Sequence, residues 1–344
     1  MCGTATAYGL LSYLTAYLKT HYPVQYMAAL LTSYSDDISK MSLVINDCSR
    51  MGIKVLPPNI NKSGRGFTPI PEKNQILFGL LGIKGIGDSV IDKIIEQRPY
   101  KGYKDFVERI QDKTAIITLI KAGALPMKNK SKALYNYAKY LNPVKKYTPV
   151  KSLPTYKKLL LDYNLDKDDY LLDDGKKVDK ERLLNAYNNI KKKAFDEKQI
   201  EKRKKAMNEF YNKYCQDEYL WEFETLSMFL THDPLKNSYK YIHKHWDDVL
   251  QDAECTLLSV IVNIKRKKDK NGHMFAYLDL YTPDGIIEAT AWSAQMKEYT
   301  DQIVKGNCVA MYGRKNDNHF FLKYLKPYEE WAEEMKERKE IRWK

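Results

Sequence analysis

The stretch Phe78-Gly-Leu-Leu-Gly-Ile-Lys-Gly-Ile-Gly-Asp-Ser-Val-Ile-Asp-Lys-Ile-Ile-Glu-Gln-Arg98 decides how the first third of the chain is read. Gly82, Gly85 and Gly87 crowd a short turn, and Val90, Ile91, Ile94 and Ile95 then recur at three- and four-residue spacing. That spacing predicts a helix with one apolar face. Gly85-Ile-Gly87 leaves backbone N–H groups bare at the helix start, where unpaired donors and the helix dipole attract a phosphate. Lys84 adds a cation beside it. A Gly-x-Gly before a helix also serves as an ordinary tight turn that needs positive φ. The neighbouring sequence has to choose between the two.

At 344 residues the chain is long enough for two or three domains with real cores. Lysine and arginine exceed acids by 57 to 44, a net charge of +13. Such an excess favours a polyanionic partner without distinguishing DNA, RNA and membrane surface. No run of apolar residues is long enough to span a bilayer, and the N-terminus lacks a signal-peptide pattern. Cys2, Cys48, Cys215, Cys255 and Cys308 are scattered with no Cys-x-x-Cys pair. That argues against zinc and a disulfide framework and suits a reducing, cytoplasmic setting. The 27 tyrosines reflect a compositional bias, so single aromatics carry reduced weight.

From the N-terminus, Ala7, Leu10, Leu11, Leu14 and Leu18 lie at helical spacing, and a second helix follows Tyr22-Pro23 with Met27, Ala28, Leu30 and Leu31. Residues 36–51 read as a third helix, 51–58 as a turn and an extended piece, and 67–78 as a small hairpin. After the quoted stretch, Tyr103, Phe106 and Ile110 form one apolar face and Ile116, Ile117, Leu119 and Ile120 another, with Ala122-Gly123 as a turn. Lys84, Lys101, Lys104 and Lys121 are the cations of this region. Pro143, Pro149 and Pro154 mark a linker. Asp162, Asp166, Asp168, Asp169, Asp173 and Asp174 cluster without calcium-loop spacing and read as a solvated surface. Residues 180–214 read as one long basic helix, and His243-Lys-His245 lacks the supporting ligands of a metal site.

Residues 255–324 are patterned as strands: 256–264, 274–281, 286–292, 308–313 and 319–325, with a helical piece at 293–303. Five strands with a helix between the third and fourth is the order of an OB-fold barrel. On the second strand Ala276, Leu278 and Leu280 point to the core, which sends Phe275 and Tyr277 to the face where such barrels stack unpaired bases. Lys265, Arg266, Lys267, Lys268 and Lys270 form an expected basic loop above them.

The run Thr4-Ala-Thr-Ala-Tyr-Gly-Leu-Leu-Ser-Tyr-Leu-Thr-Ala-Tyr-Leu-Lys-Thr-His-Tyr-Pro23 resembles the fingers segment of the bacterial DNA polymerase III alpha subunits, the C-family polymerases of bacteria and their phages. Met27-Ala-Ala-Leu-Leu-Thr32, Met51-Gly-Ile-Lys-Val-Leu-Pro-Pro-Asn-Ile-Asn61 and Phe78-Gly-Leu-Leu-Gly-Ile-Lys-Gly-Ile-Gly87 continue the likeness in order. Leu119-Ile-Lys-Ala-Gly-Ala124 is similar to the family's second hairpin, and 221–235, ending Phe229-Leu-Thr-His-Asp-Pro-Leu235, to the segment before its OB domain. The family begins its fingers motif with Phe-x-Lys-Ser-His-Ala, where this chain has Met1-Cys-Gly-Thr-Ala5. The nucleotide or template contacts made by those family side chains therefore do not carry over. Cys2 at that interruption is read either as the start of a truncated or split gene or as a splice-junction residue.

The resemblance implies a multidomain α+β chain. Residues 1–77 would be partial fingers, with Tyr8, Tyr13 and Lys19 as its candidate site residues. Residues 78–126 would be a tandem helix-hairpin-helix unit that holds DNA through Lys84, Gly85, Ile86, Gly87, Lys121 and Gly123. A helical linker (127–252), an OB domain (253–328) and a charged tail (329–344) would follow. It implies a C-terminal portion of a DNA-directed DNA polymerase, a nucleotidyltransferase that binds duplex and single-stranded DNA in replication. The palm, whose carboxylates hold Mg, lies upstream in the family together with the PHP and thumb regions. No cofactor is expected in this chain, which alone would be inactive, its catalytic residues coming from a separate or missing polypeptide. A sliding clamp is a further family partner, and Gln216-Asp-Glu-Tyr-Leu-Trp221 fits its docking peptide poorly. The rival reading is a stand-alone, non-catalytic DNA-binding accessory protein that reuses the same modules.

Overall fold

A computed structural model describes residues 2–127, 129–152, 168–172, 178–235, 246–282 and 284–342. It divides into two compact units, Met1–Lys130 with Asp217–Lys344, and Ser131–Gln216.

The first unit opens with helices α1 (Cys2–His21), α2 (Pro23–Ser33) and α3 (Ile38–Arg50). Pro23 begins α2, and the Asp37 carboxylate accepts from Lys40 N–H to cap α3. Three short strands follow, β1 (Lys54–Leu56), β2 (Thr68–Ile70) and β3 (Gln75–Leu77). The hairpin read at 67–78 is the antiparallel β2–β3 pair, and β1 joins it parallel to β3. Asn74, in the left-handed region at φ 52°, turns the chain into β3 and donates from its amide to Gly52 O at 2.8 Å.

The glycines of the opening motif owe their place to packing as much as to φ. A Cβ on Gly79 would run into the backbone of Gly66 and Phe67, and one on Gly82 would press on the Phe78 ring. The Phe67 and Phe78 rings lie 4.6 Å apart between these glycines and the sheet. Helices α4 (Asp88–Glu96), α5 (Tyr103–Ile110), α6 (Lys113–Lys121) and α7 (Lys130–Leu141) follow. Each of α4, α5 and α6 buries one face: Ile91 and Ile94, then Phe106, Val107 and Ile110, then Ile116, Ile117, Leu119 and Ile120.

The second unit carries most of α7 and the long α8 (Lys180–Tyr214), capped by Asp179 through the N–H groups of Glu181 and Arg182. Leu134 and Tyr137 of α7 are buried, as are Leu183, Tyr187 and Phe210 of α8. In the aspartate cluster, Asp168 and Asp169 sit in a short 3-10 turn; Asp162, Asp166, Asp173 and Asp174 lie outside the described residues, as do His243 and His245.

After Asp217 the chain returns to the first unit with the six-residue α9 (Trp221–Leu226). Strands β4 (Glu254–Lys268), β5 (Met274–Thr282) and β6 (Gly285–Ala291), helix α10 (Ser293–Glu298), strands β7 (Cys308–Asn316) and β8 (His319–Pro327), and helix α11 (Tyr328–Arg342) complete it. The strands close a barrel in the order β4-β5-β6-β8-β7, with β6 and β8 parallel. That is OB-fold connectivity. Ala276, Leu278, Leu280, Ile287, Ala289, Met311, Phe320 and Leu322 fill the interior.

Leu258, Val260, Val262 and Tyr281 face outward yet are buried, because Leu220, Phe229 and Leu235 cover them. A strand buried on both faces reads as a near-continuous apolar run, and residues 257–262 are apolar apart from the buried Ser259. The region read as one linker, 127–252, is thus two different things. Residues 131–216 are a unit of their own, whereas the chain from 217 to 235 packs as a layer of the first.

Gly79→Ala should lower stability by about 1–3 kcal/mol, the usual cost of overpacking. Gly87→Ala, whose Cβ meets nothing within 4 Å, should change it by less than about 1 kcal/mol. Urea-denaturation midpoints of the two variants measure the difference.

Candidate nucleic-acid interface

The turn before α4 is built from a short 3-10 helix, Leu80–Gly82, whose Leu80 and Gly82 are buried. Gly85 has φ +83° and Gly123 φ +74°, both in the region that disfavours a Cβ. Gly87 caps α4 without a side-chain acceptor. The N–H groups of Gly85, Ile86 and Gly87 donate to no protein acceptor among the described residues, so they stay available at the positive end of the helix dipole. Lys84 N–H donates to Thr225 O at 2.9 Å, which anchors the turn to α9. Its ammonium is held below the ordinary lysine value by desolvation.

Two carboxylates, Asp88 and Asp92, lie on the same first turns and would repel a phosphate. Arg65 pairs with both, reaching Asp88 Oδ1 at 2.6 Å. Arg98 secures the approach from below: its guanidinium donates to Ile60 O at 2.6 Å and Ser63 O at 2.5 Å, and Asn61 exchanges hydrogen bonds with the Tyr100 backbone. Ile60 N–H reaches Ala124 O at 2.9 Å, beside Gly123 in the turn between α6 and α7. The motif around Asn59 and the second hairpin turn are therefore joined by this backbone bond.

Lys121 is placed differently from its reading as a phosphate contact. Its ammonium lies 3.2 Å from Glu224 Oε2 and over the Trp221 ring, and its side chain is 14% exposed. Lys305, from the barrel, reaches the other Glu224 oxygen at 2.9 Å. Burial alone would raise the Glu224 pKa; the hydrogen bond from Lys305 and the two cationic charges together hold it below the ordinary carboxylate value. Lys101 and Lys104 remain exposed, Lys104 within 3.8 Å of Glu108. Leu220 and Trp221 of the clamp-peptide candidate are fully buried.

On the barrel, Phe275 and Tyr277 are half-buried on the outer face of β5, with ring centroids 5.4 Å apart. Trp292, 49% exposed, lies 5.5 Å from Phe275. His319 neighbours both Tyr277 and Phe321, and its Nε2 is 2.7 Å from Thr290 Oγ1. The result is an aromatic strip across β5, β6 and β8. Trp292, His319 and Phe321 are not legible from the alternation of β5, because it is barrel closure that brings β6 and β8 to the same face.

The basic loop expected at 265–272 is corrected. Lys265, Arg266, Lys267 and Lys268 continue β4, paired with Tyr277, Ala276, Phe275 and Met274, and the turn is confined to 269–273. Asp269 organises it by accepting from the N–H groups of Asn271 and His273. Cross-strand pairing puts Lys265 and Lys267 on the aromatic face and Arg266 and Lys268 on the other. Lys267 stands 5.0 Å above the Tyr277 ring, and Lys265 lies 3.3 Å from Asp279. Lys270 is exposed at the tip.

Of the fingers residues, Tyr8 and Tyr13 are exposed on α1 and Lys19 lies 3.5 Å from Asp47; Cys2 starts α1, its side chain lying outside the described residues. Among the described residues, Cys48, Cys215, Cys255 and Cys308 are in no disulfide. Among the described residues, no group of three or more His, Cys, Asp or Glu is arranged to hold a metal, and no helix is long and apolar enough to cross a membrane.

Desolvation, the larger effect, lowers the His319 pKa from 6.5 against an opposing pull from Glu288. The unfolded chain therefore takes up this proton first, so stability should fall as pH drops from 6.5 through the folded pKa. NMR titration should place the His319 midpoint below 6.5, and His319→Gln should flatten that part of the stability–pH slope. Glu224→Gln, which removes the carboxylate between Lys121 and Lys305, should cost about 1–2 kcal/mol at pH 7. Denaturant titration should show the deficit shrinking once the wild-type carboxylate is itself protonated.

Residues 52–134 match the helix-hairpin-helix motif family. A DNA polymerase III subunit alpha from Aquifex aeolicus is 30% identical over 352 residues, covering 96% of this chain and 26% of that protein. Another from Saccharopolyspora erythraea is 25% identical, covering 91% of this chain and 25% of that protein. A third, from Thermus aquaticus, is 45% identical over 129 residues, 35% of this chain and 10% of that protein. The chain thus spans about a quarter of the relatives it matches over most of its own length. It is similar to the C-terminal region of DNA polymerase III alpha subunits, with a helix-hairpin-helix segment inside that match.

Proposed function

We propose that this chain is the DNA-holding portion of a replicative DNA-directed DNA polymerase of the III alpha type. The hairpin turns grip duplex through Gly85, Ile86 and Gly87, with Lys84 beside them and Gly123 shaping the second turn. The barrel guides single-stranded template along Phe275, Tyr277 and Trp292, with Lys265, Arg266, Lys267, Lys268 and Lys270 following the backbone. Phosphoryl transfer, with its Mg-binding carboxylates, falls to a palm-bearing polypeptide upstream of this region or separate from it. The observation that carries this reading is the pairing of two differently built surfaces within one compact unit: bare amides at a hairpin turn and an aromatic strip under cations. Both lie within a chain of which 96% is matched by the Aquifex aeolicus DNA polymerase III subunit alpha.

The two surfaces should fail separately. Gly85→Val forces a branched side chain into positive φ and should weaken duplex binding while sparing single strands. Phe275→Ala and Trp292→Ala should each weaken single-strand binding by about 1–3 kcal/mol, roughly tenfold to a hundredfold, and spare duplex. Fluorescence anisotropy with blunt duplex and unstructured oligonucleotides measures both. Purified chain should not extend a primer with Mg and nucleotides; extension would refute the assignment of catalysis to another polypeptide.

A further inference from the structure

The two hairpin turns are not equivalent. At the first, the N–H groups of Gly85, Ile86 and Gly87 donate to no acceptor among the described residues. At the second, Gly123 N–H donates to Ile120 O at 3.1 Å and Ala124 N–H to Leu119 O at 3.0 Å, which closes the end of α6. That turn also stands at the negative end of the α6 dipole, which repels an anion. A phosphate at the second turn therefore needs a side-chain cation. Lys121, the nearest in sequence, is already engaged by Glu224 and lies over the Trp221 ring.

Lys130, the first residue of α7, stands at this turn instead. A Cβ built on Gly123 would lie 3.1 Å from Lys130 Cε and 3.3 Å from its Nζ, so the ammonium rests directly against the glycine. Lys130 is half-buried, and burial, stronger than the pull of Glu222 and Glu218, holds its pKa below the ordinary lysine value. Neither carboxylate takes the ammonium up. Both Glu222 oxygens accept from Thr231, and among the described residues Lys130 Nζ has no hydrogen bond or ion pair. A cation already stripped of part of its water, with its donors unused, gains more from an arriving anion than a fully solvated lysine does.

We propose that Lys130 is the phosphate ligand of the second hairpin turn, in the role that the sequence suggested for Lys121. This rests on the reading of the hairpins as a duplex-holding surface and names the residue that completes it. One turn binds through backbone amides, the other through a single ammonium. The turns lie close enough to engage one stretch of DNA backbone. A Cβ on Gly85 would meet Thr118 Oγ1 at 3.6 Å, and Gly123 follows Thr118 by about 7–8 Å along the axis of α6.

The test is the salt dependence of duplex binding by the full chain, read by anisotropy with a blunt duplex for wild type, Lys130→Gln, Lys130→Arg and Lys121→Gln. Loss of one phosphate contact should lower the slope of log K against log salt by about 0.9. Lys130→Gln should accordingly bind about eightfold more weakly than wild type at roughly 0.1 M salt and equally well near about 1 M. Lys130→Arg should keep the wild-type slope, and single-strand affinity should be the same in all four. Lys121→Gln should keep the slope while its urea midpoint falls, because Glu224 loses a partner. A wild-type slope in Lys130→Gln overturns the proposal whether or not its urea midpoint falls, since the ammonium would then serve only the end of α6. A second measurement covers a Lys130→Gln variant that does not fold. In wild type the Lys130 pKa, followed by NMR at Cε, should rise when the duplex is bound, and an unchanged value overturns the proposal equally. Wild type that binds no duplex overturns the duplex-holding reading as well, whereas duplex binding with a slope indifferent to Lys130 overturns this inference alone.

Discussion

The hydrogen bond from Lys84 N–H to Thr225 O joins the hairpin turn to a six-residue helix that the barrel also needs. Helix α9 is small, but it and the residues flanking it are committed on several sides. Trp221 is fully buried, Glu222 accepts from both the N–H and the hydroxyl of Thr231, and Leu220 and Phe229 cover the outside of β4 and β5. Glu224 stands between Lys121 of α6 and Lys305 of the barrel loop. A carboxylate with one cation on each side is satisfied only while both elements stay in place. Removing either lysine leaves a partly buried charge short of a partner, which costs more than the intact pair contributes. The junction is accordingly built to resist sliding of the hairpins against the barrel.

The same junction shows where sequence reading reaches its limit. Lys121 and Lys84 look alike in sequence, each beside a glycine turn. Only the fold brings Glu224 to within 3.2 Å of Lys121, from 103 residues away in the chain. Periodicity was enough for α4, α6, α8 and the five barrel strands, because each buries a regular face. The inward Ala276, Leu278 and Leu280 were legible for the same reason. The parallel pairing of β1 with β3 was not, since three-residue strands carry no period and strand β2 intervenes in sequence. The charged end of β4 also misled: four consecutive cations resemble a loop, yet a two-stranded ribbon projecting past the barrel can carry exposed charge on both faces.

That ribbon changes how the barrel surface works. A flexible loop would contribute diffuse positive charge. A strand in register fixes which cations flank which ring, so Lys267 stands over Tyr277 while Arg266 faces away. On the proposed reading, an ammonium above one ring leaves the neighbouring Phe275 and Trp292 for base stacking, and a phosphate passing Lys267 would be drawn to the side where the bases lie. The aromatic strip is also ordered before any ligand arrives, with Phe275 held between Tyr277 and Trp292 and His319 fixed by Thr290. Preorganised rings lose little rotamer freedom on binding, which favours affinity without base specificity.

On the proposed reading, the hairpins would reach a similar neutrality toward sequence by other means. Backbone amides cannot distinguish one base from another, and Arg65 offsets the two aspartates that would otherwise oppose a phosphate at α4. On the proposed reading, one surface recognises the spacing of phosphates on a duplex and the other the open π-faces of a single strand. Because both belong to one compact unit, a DNA carrying both forms meets its second site at high effective concentration once the first is engaged. Such an advantage depends on geometry held between the sites, and in this chain that geometry passes through α9 and Glu224.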